Sequence, residues 1–242
     1  MAISASMAVP VHAEDVPESR DTVEVKPESS EEAGPNAVTI LDLSEPRYQG
    51  QDLGAILASQ PGLRVTRIGG QYSSAYASIR GSTPEQVLVY LDGIPLNLAT
   101  GGAVDLAALP LGPLETVHIY RSASAGGMGS SAMGGVIALE TKTLAKPHTE
   151  AYTEGGSLDT YALRAAQSLG GGSLRGLVGL DSITTQGNFS YINDQGTLFA
   201  GSEGDDERVV RSNNHSRQAS GILKLGWKPS KYFEIKMLEL VM

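Results

Sequence analysis

The stretch Val87-Leu88-Val89-Tyr90-Leu91-Asp92-Gly93-Ile94-Pro95-Leu96-Asn97 decides how the first half of the chain folds. Five consecutive apolar residues, closed by Asp-Gly, read as a buried strand that ends in a tight turn. Val87 to Leu91 is therefore predicted as the central strand of a compact domain.

On either side the pattern is mixed α+β. Val38-Thr39-Ile40-Leu41 reads as a short strand, and Leu53, Ile56 and Leu57 share one face of a helix over Asp52 to Ser59. Pro61-Gly62 stops that helix. Leu63 to Ile68 alternates apolar and polar residues up to Gly69-Gly70, and Ala77 to Arg80 is a second strand. Val104 to Leu109 reads as a short helix and Thr116 to Tyr120 as a strand. Gly126 to Gly135 is a small-residue loop, and Val136 to Thr141 is the closing strand.

Past Lys146-Pro147 the texture changes to period-2 alternation broken by turns. Tyr161, Leu163 and Ala165 fall on one face, with Arg164, Ala166 and Ser168 on the other. Leu174, Gly176, Val178 and Leu180 alternate with Arg175, Gly179 and Asp181. After a polar stretch from Gln186 to His215, Ala219, Gly221, Leu223, Leu225 and Trp227 alternate with Gln218, Ser220, Lys224 and Lys228. Phe233, Ile235 and Met237 then start a further strand. Short strands with one apolar face, joined alternately by tight turns and long polar loops, fit a transmembrane β-barrel. A soluble sandwich alternates too. Trp227, beside the Lys228-Pro229-Ser230-Lys231 turn, favours an interfacial aromatic anchor.

Composition narrows the function classes. The net charge of -9 argues against nucleic-acid binding, which needs a basic footprint. The chain has no cysteine, so disulfide frameworks, thiolate metal sites and cysteine nucleophiles are excluded. Glycine is abundant and charged residues are few, as in turn-rich β structure. The apolar, small-residue start through Ala13 reads as the remnant of a signal peptide over residues 1–13. Residues 14–36 are acidic and rich in Pro, Ser and Glu, a disordered arm.

Four segments in order resemble the plug of TonB-dependent outer-membrane receptors. They are Ile79-Arg80-Gly81, the Val87 to Asn97 stretch, Leu114-Glu115-Thr116-Val117-His118-Ile119-Tyr120-Arg121-Ser122, and Gly129-Ser130-Ser131-Ala132-Met133-Gly134-Gly135-Val136-Ile137 leading into Glu140-Thr141-Lys142. Leu-Asp-Gly-Ile-Pro-Leu-Asn and the Ala-Val-Asp-Leu after it resemble the cobalamin-receptor branch. The resemblance implies an α+β plug domain over 37–146, followed over 147–242 by antiparallel β-hairpins of an incomplete transmembrane β-barrel. A wide barrel leaves an open lumen that needs such a plug. Too few strands to close a barrel, and an end in Lys-Met-Leu-Glu-Leu-Val-Met without a terminal aromatic, read as a truncated product.

The resemblance also implies roles for residues. Asp21-Thr22-Val23-Glu24-Val25-Lys26-Pro27 lies where the family carries its TonB box, the segment that adds as a strand to the TonB periplasmic domain. Arg80 and Arg121 each end an apolar strand, and in the family such arginines pair with barrel glutamates, which here would lie beyond Met242. In this chain they are expected to face solvent or pair locally with Asp92 or Glu115. Gln71, Tyr72, Tyr76 and Asn97, in loops facing outward, are candidates for substrate contact. Asp194, Asp205, Asp206 and Glu207 are carboxylates that calcium would accept, although their spacing is that of an ordinary solvated loop.

The implied function is energy-coupled uptake of a cobalamin or a ferric siderophore across the outer membrane, with plug and arm on the periplasmic side. The expected partners are the coupling protein, outer-membrane lipid and the ligand, with no nucleic acid and no cofactor. Two rivals are a soluble plug-like periplasmic binding module without transport, and an enzyme with an unrecognised site. No phosphate-loop, G-x-S-x-G or H-E-x-x-H pattern supports the enzyme reading, and His12, His118, His148 and His215 are scattered.

Overall fold

The computed structural model describes residues 2–6, 38–48, 50–70, 72–97, 102–121, 134–142, 147–193, 207–230 and 233–242. In chain order the elements are β1 Ala2–Ser6, β2 Val38–Asp42, α1 Leu53–Ala58, β3 Leu63–Arg67, β4 Ala75–Ile79, β5 Val87–Leu91, β6 Ile94–Pro95, β7 Leu114–Tyr120 and β8 Gly135–Thr141. There follow β9 His148–Gly156, β10 Thr160–Leu169, β11 Leu174–Thr185, β12 Ser190–Asn193, β13 Glu207–Val210, β14 Ser216–Ser230 and β15 Phe233–Val241.

The α+β unit is built on a five-stranded sheet in the order β2-β7-β8-β5-β6, with β3 and β4 as a separate antiparallel pair. Asp52 starts α1 by accepting a hydrogen bond from the Ala55 N–H at 2.7 Å, and Leu53, Ile56 and Leu57 are buried. The sequence places β5 at the centre; the structure places β8 there. β8 lies parallel to β5 on one side and antiparallel to β7 on the other, while β5 has only the two-residue β6 beyond it. Val136 and Ile137, adjacent and so on opposite faces, are both fully buried, as a strand covered on both sides requires. In β5 only Val87, Val89 and Leu91 are buried; Leu88 and Tyr90 are half-buried. The expected helix at Val104 to Leu109 is a single 3-10 turn, Leu106–Ala108, capped by the Asp105 carboxylate.

The second half is one antiparallel sheet in the order β1-β15-β14-β11-β10-β9, with the small β12–β13 ladder in the connection from β11 to β14. Residues 157–159 and the described parts of the connection from β11 to β14, 186–193 and 207–215, lie at one end of the strands, and the tight turn after β10 lies at the other. The burial of these strands is inverted relative to a soluble sheet. Tyr161, Leu163 and Leu169 are 62%, 50% and 59% exposed, while Thr160, Ala162, Arg164, Ala166 and Ser168 are buried. Leu174, Val178 and Leu180 likewise face out, and Asp181 and Thr185 face in. In water each exposed leucine would forgo on the order of 1 kcal/mol of burial. The outward face is therefore suited to a hydrocarbon surrounding, while the inward face mixes polar residues with the buried Leu177, Ile183 and Ile222.

Ile137→Ala is expected to lower the stability of the α+β unit by about 2–5 kcal/mol, because the emptied site lies between two strands. Ile40→Ala, in the edge strand and 57% exposed, should stay within about 0.5 kcal/mol. Denaturant midpoints read by hydrogen exchange over 87–141 separate the two.

Candidate functional site

The α+β unit rests on the inward face of β9, β10, β11 and β14, and the seam between them is polar. Arg164 of β10 and Asp181 of β11 are cross-strand neighbours on that face. They form a buried ion pair with 3.4 Å between Nε and Oδ2. Asp181 also accepts hydrogen bonds from the Leu111 N–H at 2.8 Å and the Gly112 N–H at 3.2 Å. Arg164 donates through Nη2 to the Gln51 carbonyl at 2.6 Å. One wall carboxylate thus caps a loop of the α+β unit, and its counter-ion holds the residue before the Asp52 cap of α1. Asp52 in turn pairs with Arg67. Asp52 Oδ2 and Arg164 Nε, both without an aligned partner, belong to residues lining a cavity of about 10 Å³, room for a single water.

Shape reinforces the charges. A Cβ on Gly179 would lie 2.4 Å from the Pro113 ring, and one on Gly112 would lie 2.9 Å from Asp181. The wall glycine and the loop glycine are therefore what allow the 111–113 loop to sit directly on β11. Tyr72 is buried against Ala162 and Ile183 in the same seam.

A second contact forms at the Asp92-Gly93 turn. Both residues take positive φ, 48° and 82°, as a two-residue hairpin of type I′ requires. The turn aims the Asp92 carboxylate at the end of β8, where it accepts from the Thr141 N–H at 3.0 Å and the Thr141 hydroxyl at 2.8 Å. Lys224 of β14 pairs with Asp92 at 2.8 Å and donates to Thr141 Oγ1 at 2.9 Å. Lys142 pairs with Glu150 of β9, and Gln218 of β14 donates to the Ala107 carbonyl. The end of the central strand is thus tied to the wall on two sides.

The residues singled out by the sequence fall differently. Arg80 is exposed at the end of β4. Arg121 is not: it is 9% exposed and donates through Nε to the Pro61 carbonyl at 2.9 Å and through Nη1 to Thr39 Oγ1 at 2.7 Å. Its acceptors are neutral groups of the α+β unit, and Asp92 is taken by Lys224 instead. Burial, and then the nearby Arg80 charge, lower the Arg121 pKa, and Nη2 has no acceptor among the described residues. Asn97 is committed to the fold: its carboxamide accepts from the Val89 N–H and donates to the Val87 and Gly102 carbonyls, extending the β5 edge. Tyr72, buried in the seam, presents no face to a ligand, whereas Tyr76 is half-buried in β4. Gln71, the Asp21 to Pro27 segment, Asp194, Asp205 and Asp206 lie outside the described residues; Glu207 is exposed at the start of β13. Among the described residues no group of three or more His, Asp or Glu could hold a metal.

The seam residues Arg164, Asp181, Gln218 and Lys224 were assigned to the polar face by alternation, but no role followed. The available signal was an arginine and an aspartate at inward positions of consecutive strands. What they bind, 69 or 70 residues away in the case of Asp181, has no local signature.

Asp181→Ala should cost about 3–5 kcal/mol at the seam, because Arg164 stays buried without its counter-ion. Protease access to the 102–113 loop in the detergent-solubilised protein measures the loss. Arg121→Ala should destabilise the α+β unit by about 1–3 kcal/mol, through two lost bonds from a charged donor. Arg80→Ala should change it by under about 0.5 kcal/mol; equal effects would contradict the assignment of Arg121 to the interior.

Comparison with known proteins matches this architecture. Residues 30–136 match the family model of the TonB-dependent Receptor Plug Domain. The vitamin B12 transporter BtuB of Vibrio cholerae serotype O1 is 34% identical over 142 residues, 58% of this chain and 23% of that protein. The fold is shared with the siderophore receptor PirA from Acinetobacter baumannii, at a TM-score of 0.56 and 22% identity, over 81% of this chain and 30% of that one. It is shared too with the ferric yersiniabactin uptake receptor FyuA from Yersinia pestis, at 0.52 and 24%, over 81% and 30%. The chain thus spans about a quarter of the length of the curated relative. Residues 30–136 thus match the plug domain of TonB-dependent receptors, and antiparallel strands follow it with the fold those receptors share.

Proposed function

We propose that this chain serves energy-coupled uptake at the outer membrane, with its plug and N-terminal arm on the periplasmic side. The observation that carries the reading is the inside-out sheet: an apolar face turned away from the plug, and a polar face that grips it. The cargo is a cobalamin or a ferric siderophore, and the Vibrio relative called a vitamin B12 transporter favours cobalamin. Such transport makes and breaks no covalent bond in the cargo. Gln71 and Tyr76 remain the substrate-contact residues of the reading; Tyr72 and Asn97 hold the fold.

The Asp21 to Pro27 segment is the strand offered to the TonB periplasmic domain. Backbone hydrogen bonds give affinity there, and the alternation of Val23 and Val25 with Glu24 sets the register. Arg80, exposed at the end of β4, is the arginine offered to carboxylates of the barrel wall, while Arg121 is held inside the α+β unit.

The chain has no cysteine, so single-cysteine labelling is unambiguous. Val23→Cys is expected to cross-link to a cysteine-bearing TonB periplasmic domain, and adding Val25→Pro should abolish the link by removing a backbone donor. A yield no higher than from Val16→Cys, outside the segment, would refute the coupling role. Recovery of the chain as a detergent-free soluble monomer would favour the binding-module reading instead.

A further inference from the structure

Cross-strand register places Tyr161 opposite Thr184 and Thr184 opposite Arg217, one row across β10, β11 and β14 at the end that carries the long connection. All three share the parity of the outward face. Below them come Leu163, Ser182 and Ala219, then Ala165, Leu180 and Gly221, and the column ends at Leu174 beside Trp227. Arg217 and Trp227 are ten residues apart on one strand. At about 3.4 Å per residue and a tilt of about 40°, that is roughly 26 Å of height, close to the ~25 Å apolar band of outer-membrane barrels. Trp227 marks one border of the band, and the Tyr161–Thr184–Arg217 row marks the other.

At that border lies an open cleft of about 720 Å³, lined by Thr184, Thr185, Gln186, His215, Ser216 and Arg217. Its lining offers hydroxyls, an amide, an imidazole and a guanidinium, and no carboxylate. Arg217 is exposed, and no hydrogen bond or ion pair engages it among the described residues. A guanidinium with hydroxyl neighbours suits a phosphomonoester, which accepts several charge-assisted hydrogen bonds. The cleft spans the strand ends, with Thr184 and Arg217 on the outward side above the apolar column and Thr185 and Ser216 on the inward side, so a phosphate carrying its own acyl chains reaches Arg217 from the outward side.

We propose that Arg217, with Thr184, His215 and Tyr161, forms a binding site for the phosphate of a lipid headgroup in the leaflet at the loop end of the strands. The proposal rests on the membrane reading given above. The site anchors the sheet at that border as Trp227 does at the other, and it fixes the height of the wall around the plug.

The test uses the full chain in non-ionic detergent micelles and native mass spectrometry, with lipid A and its dephosphorylated form as probes. The wild type should prefer the phosphorylated lipid by about tenfold or more, the worth of one charge-assisted hydrogen bond. Arg217→Gln should abolish that preference, Arg217→Lys should keep part of it, and Arg208→Gln, off the row in β13, should leave it intact. Inorganic phosphate should not displace the lipid. Equal binding of the two lipids, retention of the preference in Arg217→Gln, or displacement by inorganic phosphate would each overturn the site. If the chain binds lipid without discriminating phosphate, only this inference fails; a chain soluble without detergent that binds neither lipid takes the membrane reading with it.

Discussion

Arg164 and Asp181 sit on neighbouring strands of a wall, buried, with their charges 3.4 Å apart. Two opposite charges at that depth are tolerated only when their remaining hydrogen-bonding capacity is met. Here the plug meets all of it but Arg164 Nε, which lines the small cavity. The Leu111 and Gly112 N–H groups turn to Asp181, and the Gln51 carbonyl turns to Arg164. Removing the plug would leave the pair half-solvated on a bare face; removing the pair would leave the loop's backbone donors without acceptors. Each half of the chain therefore supplies what the other needs to bury its polar groups.

The chemistry of this seam differs from that of the plug interior. The interior is leucine, isoleucine and valine around β8, held by apolar burial and costly to open. The seam adds carboxylates, amines and backbone dipoles, groups that water can satisfy when the surfaces part, to a smaller apolar contact through Ile222, Ile183 and Tyr72. Under the proposed uptake, a plug that stays folded while it parts from its wall is well served by that division. The Asp92–Lys224 contact and the Lys142–Glu150 pair hold the end of the central strand, while Arg164 holds the approach to α1.

Much of this was legible in the sequence. Alternation alone assigned Leu163 and Leu180 to one face and Arg164 and Asp181 to the other, because the strand period is two and does not depend on long-range context. The helix over Leu53, Ile56 and Leu57 and the Asp92-Gly93 turn are local signals as well. The order of strands in the plug sheet was not legible. Val87–Leu91 and Val136–Leu139 are both continuous apolar runs, and only the parallel pairing of the two, across some fifty residues, decides which is central. Asn97 and Tyr72 read as loop residues free to meet a ligand, yet one completes a strand edge and the other fills the seam. Arg121 read as reaching outward because its strand ends there; the pocket made by Pro61 and Thr39 comes from distant segments that periodicity does not register.

The central claim is that one sheet turns an apolar face to lipid and a polar face to the plug. Single cysteines at consecutive positions of β10 and β11, such as Ala162 and Leu163, and Leu180 and Asp181, each labelled with an environment-sensitive fluorophore, test it directly. The protein would be reconstituted in vesicles containing brominated acyl chains. The account predicts quenching at Leu163 and Leu180 and none at Ala162 and Asp181, a strict alternation along both strands. Uniform quenching, no quenching at any position, or quenching at the inward positions would contradict it.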